Sequence, residues 1–229
     1  MIIAHRGYKK NHPENTIPAF EDAFLNGADA IETDLRIGPS GKIIVSHNPV
    51  KDDHGLLILE ELFEYINSKN ASFFLELKSS NPELLGPIIR KIHNHNLWDK
   101  VHLIGFASRI KTAILVQDKF PKLLVDQIIQ LPYLDLVRMR SPKKSNAVFI
   151  GWLEGVALSE RLFNALMNED RVQRLREYYE SHGFNVYAGV INHEKGIQLF
   201  RNAGIHDIFT DEVEMAKHTL GSASMNYIQ

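Results

Sequence analysis

The sequence predicts an α/β protein of one domain, a (β/α)8 barrel. Three observations carry this reading. Short apolar runs alternate with amphipathic stretches along the whole chain, the signature of repeated βα units. Eight such units can be counted, and 229 residues fall within the size range of a barrel built from eight. Charged and titratable residues recur at the C-terminal ends of the apolar runs, the edge on which α/β proteins assemble ligand sites.

The first strand is residues 2–5, an apolar run closed by His5. Thr16 caps the first helix, with Pro18 in its opening turn and Phe20, Ala23 and Phe24 on one face. The second unit joins residues 30–35 and 42–46 as one bent strand, followed by a helix over 59–67. Strand 72–77 leads to helix 82–94, strand 101–106 to helix 109–119, and strand 122–125 to a region, 130–158, without a clear register. There Lys143-Lys144, between Pro and Ser, reads as a turn, and either 147–151 or 155–158 supplies the sixth strand. Helix 171–181, strand 186–190, helix 193–203, strand 207–210 and helix 212–218 complete the series. Gly183 and Gly204 stand where helix-ending glycines belong, and Asp211 where a cap belongs. The expected domain is residues 1–220, with 221–229 as a C-terminal tail.

Composition narrows the function. A formal net charge of −2 gives no general attraction to nucleic acid or to an anionic membrane. The absence of cysteine excludes disulfides, thiolate nucleophiles and cysteine zinc sites. No apolar stretch approaches the ~20 residues needed to cross a bilayer. With the first strand starting at Ile2 and no secretory leader before it, the expectation is a cytoplasmic protein. Oligomeric state has no signal in the sequence.

The strand ends supply a consistent chemical inventory. His5-Arg6-Gly7 delivers a titratable ring, a fixed cation and a flexible backbone to the end of the first strand, and the guanidinium fork suits a phosphate. Glu32 and Asp34 stand at i and i+2, which in a strand point to one face. Like charges so placed repel, and a hard divalent cation is their natural partner. Ile44-Val45-Ser46 ends in His47-Asn48. Glu76 and Lys78 again share a face, either as site groups or as a pair with each other. Asp211 reads as a helix cap rather than a catalytic acid. The other histidines, His102 among them, read as surface groups, and Trp152 as a core or rim residue.

Taken in order, His5-Arg6-Gly7, Pro13-Glu14-Asn15-Thr16, Glu32-Thr33-Asp34, His47-Asn48, Glu76-Leu77-Lys78 and Gly204…Thr210-Asp211 resemble the glycerophosphodiester phosphodiesterases, from His5 to Asp211. The resemblance implies a TIM barrel that hydrolyses glycerophosphodiesters to an alcohol and glycerol 3-phosphate with one divalent cation, Mg²⁺ or Ca²⁺. It implies Glu32, Asp34 and Glu76 as metal ligands, His5 and His47 as the acid–base pair, and Arg6 and Lys78 as phosphate-contacting cations. Glu14 would support the metal ligands or Arg6. Which histidine is the acid stays open, as does the nucleophile, either water or the substrate's own glycerol hydroxyl.

Three departures from the family pattern stand out. Asn48 replaces the usual Asp after the second histidine. The stretch between His47 and Glu76 is too short for most of the small inserted subdomain that usually covers the site. Val186-Tyr187-Ala188-Gly189 lacks the usual Trp, for which Tyr187 is a stand-in. Two alternatives follow. One is a lysophospholipase D or sphingomyelinase D-like phosphodiesterase with an open apolar mouth. The other is a non-catalytic barrel that binds phosphate head groups.

Overall fold

The computed structural model describes residues 1–131, 145–153 and 155–221. Its strands are β1 (Ile2–His5), β2 (Ala30–Ile37), β3 (Ile43–Val45), β4 (Ser72–Leu77), β5 (Val101–Phe106), β6 (Leu124–Leu131), β7 (Ala147–Trp152), β8 (Asn185–Ala188) and β9 (Ile208–Thr210). Its helices among the described residues are α1 (Ile17–Leu25), α2 (Leu59–Ser68), α3 (Pro82–Asn94), α4 (Ala107–Val116), α5 (Ala157–Leu166), α6 (Glu169–Ser181), α7 (Glu194–Asn202) and α8 (Val213–Gly221). None of them is long and apolar enough to cross a membrane.

Eight strands run parallel in the order β1-β9-β8-β7-β6-β5-β4-β2, and β1 pairs with β2 to close the ring. The predicted (β/α)8 barrel is therefore the observed fold. The bent second strand needs correction. Residues 43–45 form β3, antiparallel to the end of β2, with Leu35 opposite Val45. A tight turn makes this hairpin: Gly38 N–H donates to Lys42 O at 2.8 Å, and Gly41 takes φ 82°.

The sixth barrel strand is Ala147–Trp152, which decides between the two expected registers. Residues 157–166 are helix α5, which the sequence reading did not anticipate. Its periodicity is blurred because Leu158 and Leu162 point outward, 74% and 38% exposed, while Phe163 is buried. The turn expected at Lys143-Lys144 and the tail beyond Gly221 lie outside the described residues.

Strand alternation sets the interior. Ile3, Ala30, Phe74, Ile104, Phe149, Tyr187 and Phe209 point inward and form a closed plug. Phe74 meets Phe209 edge-on at 5.1 Å and Tyr187 at 5.5 Å between ring centroids. Two residues further along the same strands, the same face carries His5, Glu32 and Glu76. The plug is thus the floor of whatever sits at the C-terminal mouth. On its other side His102 stacks on Phe74 at 4.4 Å and pairs through Nδ1 with Asp126 Oδ2 at 2.7 Å. His102 is therefore an interior group rather than a surface one, because it lies on the inward face of β5, two residues before Ile104.

Candidate active site

The site begins where β1 ends. Arg6 and Gly7 take φ 62° and 85°, which turn the chain sharply over the barrel rim. A side chain on Gly7 would approach the Ala19 backbone to 2.8 Å, so α1 packs close here because the residue is glycine. Two backbone bonds hold Arg6 in its left-handed conformation: its N–H donates to Glu32 O and its carbonyl accepts from Asn15 N–H, both at 2.9 Å. The guanidinium then lies across the mouth, with Nε 3.2 Å from Asp34 Oδ2 and Nη1 3.3 Å from Glu14 Oε2.

Strand pairing assembles the carboxylates. His5 lies opposite Glu32, and Asp34 lies opposite Glu76. Glu32, Asp34 and Glu76 are buried, and one oxygen from each lies within 4.8 Å of the others. Lys78 bridges two of them, 2.6 Å from Asp34 Oδ1 and 2.7 Å from Glu76 Oε2. Asn15 Nδ2 donates to Asp34 Oδ2 at 2.9 Å, while its Oδ1 accepts from Thr33 Oγ1 at 2.7 Å. Burial works to raise the Asp34 carboxyl, but Lys78 and Arg6 outweigh it and hold the group below its ordinary range. Glu32 has weaker support. Burial, then the Asp34 charge, pushes it up to about 8, and its Oε1 is buried with no hydrogen-bond partner among the described residues. An all-oxygen donor set with one orphaned carboxylate oxygen fits a hard divalent cation such as Mg²⁺ or Ca²⁺.

The two histidines face this cluster from different supports. The His5 ring is 5% exposed, with Nε2 3.8 Å from Glu32 Oε2 and Nδ1 2.9 Å from Asp211 Oδ1. Burial favours the neutral ring, but the Glu32 charge and the Asp211 hydrogen bond prevail, so His5 holds its proton above its ordinary range. His47 is shifted the other way, first by burial and then by the Lys78 charge. Its loop is fastened by Arg36, whose Nε donates to Ser46 O at 3.1 Å and whose Nη2 donates to His47 O at 2.8 Å. Asn48 is exposed, and its carbonyl accepts from Ser46 Oγ at 2.9 Å.

Asp211 is not the cap of the last helix. Its carboxylate is engaged by His5, by Lys9 Nζ at 2.6 Å and by Asn192 Nδ2 at 2.7 Å, and α8 starts two residues later. Tyr187 is not a wall of the mouth either. It faces inward one turn of the pleat below Gly189 and belongs to the plug, 5% exposed. Trp152 points outward and packs on Phe163 and Phe200, which settles it as core.

One pocket collects His5, Arg6, Glu32, His47, Glu76 and Lys78, with Asp34 fully buried beside them. Its other side is formed by Phe106, Ile128, Leu153 and Val190, with Arg109 and Gln130 between. Gln130 Nε2 donates to Gly189 O, and Arg109 Nη1 lies 2.8 Å from Glu76 Oε1. Asp211, Arg36, Asn15 and Arg109 escaped the sequence reading as site groups. Asn15 lies inside a quoted motif and Arg36 is i+2 from Asp34, so both carried a signal; Arg109, three residues past a strand end, carried none.

This geometry can be set beside known proteins. The sequence profile of the glycerophosphoryl diester phosphodiesterase family matches residues 5–54, which hold both histidines and the first two carboxylates. A glycerophosphodiester phosphodiesterase of Caldanaerobacter subterraneus subsp. tengcongensis is 25% identical over 93% of this chain and 95% of its own. The crystal structure of a glycerophosphodiester phosphodiesterase from Parabacteroides distasonis superposes with a TM-score of 0.73 at 18% identity, covering 97% of each chain. An Oleispira antarctica phosphodiesterase, solved in complex with the product sn-glycerol-3-phosphate, superposes with a TM-score of 0.70 at 17% identity over 96% of each chain. The profile match at the mouth, the near full-length relatives and the shared barrel agree: the chain belongs to the glycerophosphoryl diester phosphodiesterase family.

Proposed function

We propose that this phosphodiester hydrolase cleaves glycerophosphodiesters to an alcohol and glycerol 3-phosphate, with His5 and His47 as its acid–base pair and one divalent cation on Glu32, Asp34 and Glu76. The observation that carries the reading is the pair of histidines facing one pocket with ionisation pushed in opposite directions. Groups separated in this way suit opposite proton-transfer roles.

His47, neutral near pH 7, accepts the proton of the nucleophile, whether water or the substrate's glycerol hydroxyl. His5, held protonated by Asp211, gives a proton to the departing alkoxide. Arg6 grips the non-bridging oxygens with its planar fork, and Lys78 adds a point charge beside the carboxylates. A divalent cation on the three carboxylates would supply charge neutralisation at the phosphate. Glu14 steadies Arg6 from the rim, and Asn48 shapes the His47 loop through its backbone.

The apolar wall of Phe106, Ile128, Leu153 and Val190 favours one alternative, cleavage of lysophospholipids. The test is release of glycerol 3-phosphate from glycerophosphocholine and glycerophosphoethanolamine, with Mg²⁺ or Ca²⁺ and with chelator. Metal-dependent release is expected. No release with either metal, alongside cleavage of lysophosphatidylcholine, would move the substrate to the alternative; inertness toward all three would leave a binding role.

A further inference from the structure

Arg109 stands on the far side of Glu76 from the histidines, in the first turn of α4, and lines the same pocket. Glu76 holds it through one nitrogen, Nη1 to Oε1 at 2.8 Å, and the guanidinium carbon lies 5.6 Å from the Phe106 ring centroid. Those two contacts fix the plane of the fork. Among the described residues Nε and Nη2 have no partner, and the side chain is 38% exposed. Glu76 shares its charge with Lys78 at 2.7 Å, so it does not cancel Arg109 by itself.

The surroundings of that free edge select a ligand. The described lining on this side is Phe106, Ile128 and Leu153, apolar but for the Gln130 amide, whose Nε2 is engaged by Gly189 O. The carboxylates among the described lining residues are Glu32 and Glu76. A quaternary ammonium head group would face the Arg109 cation there, since the neighbouring carboxylate, Glu76, is already shared between Arg109 and Lys78, and the Phe106 face it could stack on is taken by a cation. A carboxylate would find two aligned donors on a fixed fork.

We propose that Arg109 is a specificity-determining residue, whose guanidinium edge docks an anionic group, a carboxylate or a phosphate, on the leaving alcohol of the diester. This rests on the hydrolysis proposed above and names the class of head group that the site prefers.

Glycerophosphoserine and glycerophosphoethanolamine differ by one carboxylate on the alcohol, so the ratio of their kcat/KM values isolates this contact. For the native enzyme the ratio should favour serine by about tenfold, ~1.4 kcal/mol, carried mainly by KM. Arg109→Gln should bring it near one, and Arg109→Glu should invert it. Calorimetric binding of O-phosphoserine and phosphoethanolamine in chelator, where nothing turns over, should give the same order and the same collapse. A native ratio near one, a ratio that survives Arg109→Gln, or an equal loss on both substrates would overturn the proposal, the last placing Arg109 on the shared phosphate. If neither diester releases glycerol 3-phosphate, the hydrolysis reading fails, and the calorimetric ratio alone decides the role of Arg109.

Discussion

His5 and His47 look into one pocket from regions built in different ways. His5 ends a barrel strand, and its ring is clamped between Glu32 and Asp211. His47 sits on the loop after the β3 hairpin, and its fixed point is the backbone, through Arg36. One region holds a side chain by both ring nitrogens and favours its proton. The other holds a peptide and leaves the ring to partial burial and then to the field of Lys78, which favour the neutral form. A difference in support thus becomes a difference in charge state at one pH.

The contrast can be broken most severely by deletion. His5→Ala and His47→Ala should each lower kcat by about 10²–10⁴, the usual weight of a proton-transferring group. Circular dichroism and melting curves should stay near native, since neither ring belongs to the apolar plug. Near-full activity in both variants would remove the acid–base assignment.

Asp211→Asn should narrow the contrast, with a loss of about 10–100-fold, the range found for groups that orient metal-ligating histidines. The sign follows from the charges. Asp211 raises the His5 pKa, so its neutral replacement lowers it. The alkaline limb of kcat/KM, where His5 loses its proton, should move to lower pH, while the acidic limb set by His47 stays in place. An alkaline limb that does not move would leave Asp211 a merely structural partner.

A gentler test uses pH on the chelated protein. Glu32, pushed up to about 8 by burial and by Asp34, and His5, also raised, both bind protons more tightly folded than unfolded. Their contribution to stability is then fully present below their unfolded values and falls as pH rises from about 5 to about 8, a range above that in which the depressed Asp34 and Asp211 take up protons. His47 acts in the opposite sense, one group against two. Melting temperatures in chelator should therefore fall between pH 6 and pH 9, and Mg²⁺ or Ca²⁺ should abolish the fall. A flat profile in chelator would show that Glu32 is already ionised by some other means.

The smallest effect belongs to the helix that backs the His5 loop. Thr16 Oγ1 accepts from Ala19 N–H at 3.4 Å and donates to Pro13 O at 2.7 Å. Thr16→Ala should cost about 1 kcal/mol in chemical denaturation. A shift of either kinetic limb in that variant would mean that the loop and the rings are coupled through α1.

The sequence made the barrel legible because the apolar runs are short, several end in charged or titratable residues, and most are followed by a helical pattern. It misread β2 and β3 because a hairpin and a bent strand share the same alternation, and only pairing separates them. It missed α5 because Leu158 and Leu162 face outward. At the site, Glu32, Asp34 and Glu76 were readable from i, i+2 spacing, whereas Asp211 was not: a helix cap and a histidine partner look identical until β9 is seen beside β1. Arg109 lay beyond reach for the same reason, since its meeting with Glu76 spans two strands and a helix turn.

That pairing of β1 with β9 has a consequence for assembly. The bond between His5 and Asp211 spans 206 residues of sequence, and the contact that completes the ring is also the one that tunes the first histidine. Contacts of such long range form late, because the loop they close must be ordered first. Glu32, Asp34 and Glu76 lie on the paired strands β2 and β4 and need a far shorter loop to meet, whereas His5 must wait for a partner at the other end of the chain. On the reading proposed above, competence for proton transfer would arrive only with closure of the circle, after the three proposed cation ligands have already met.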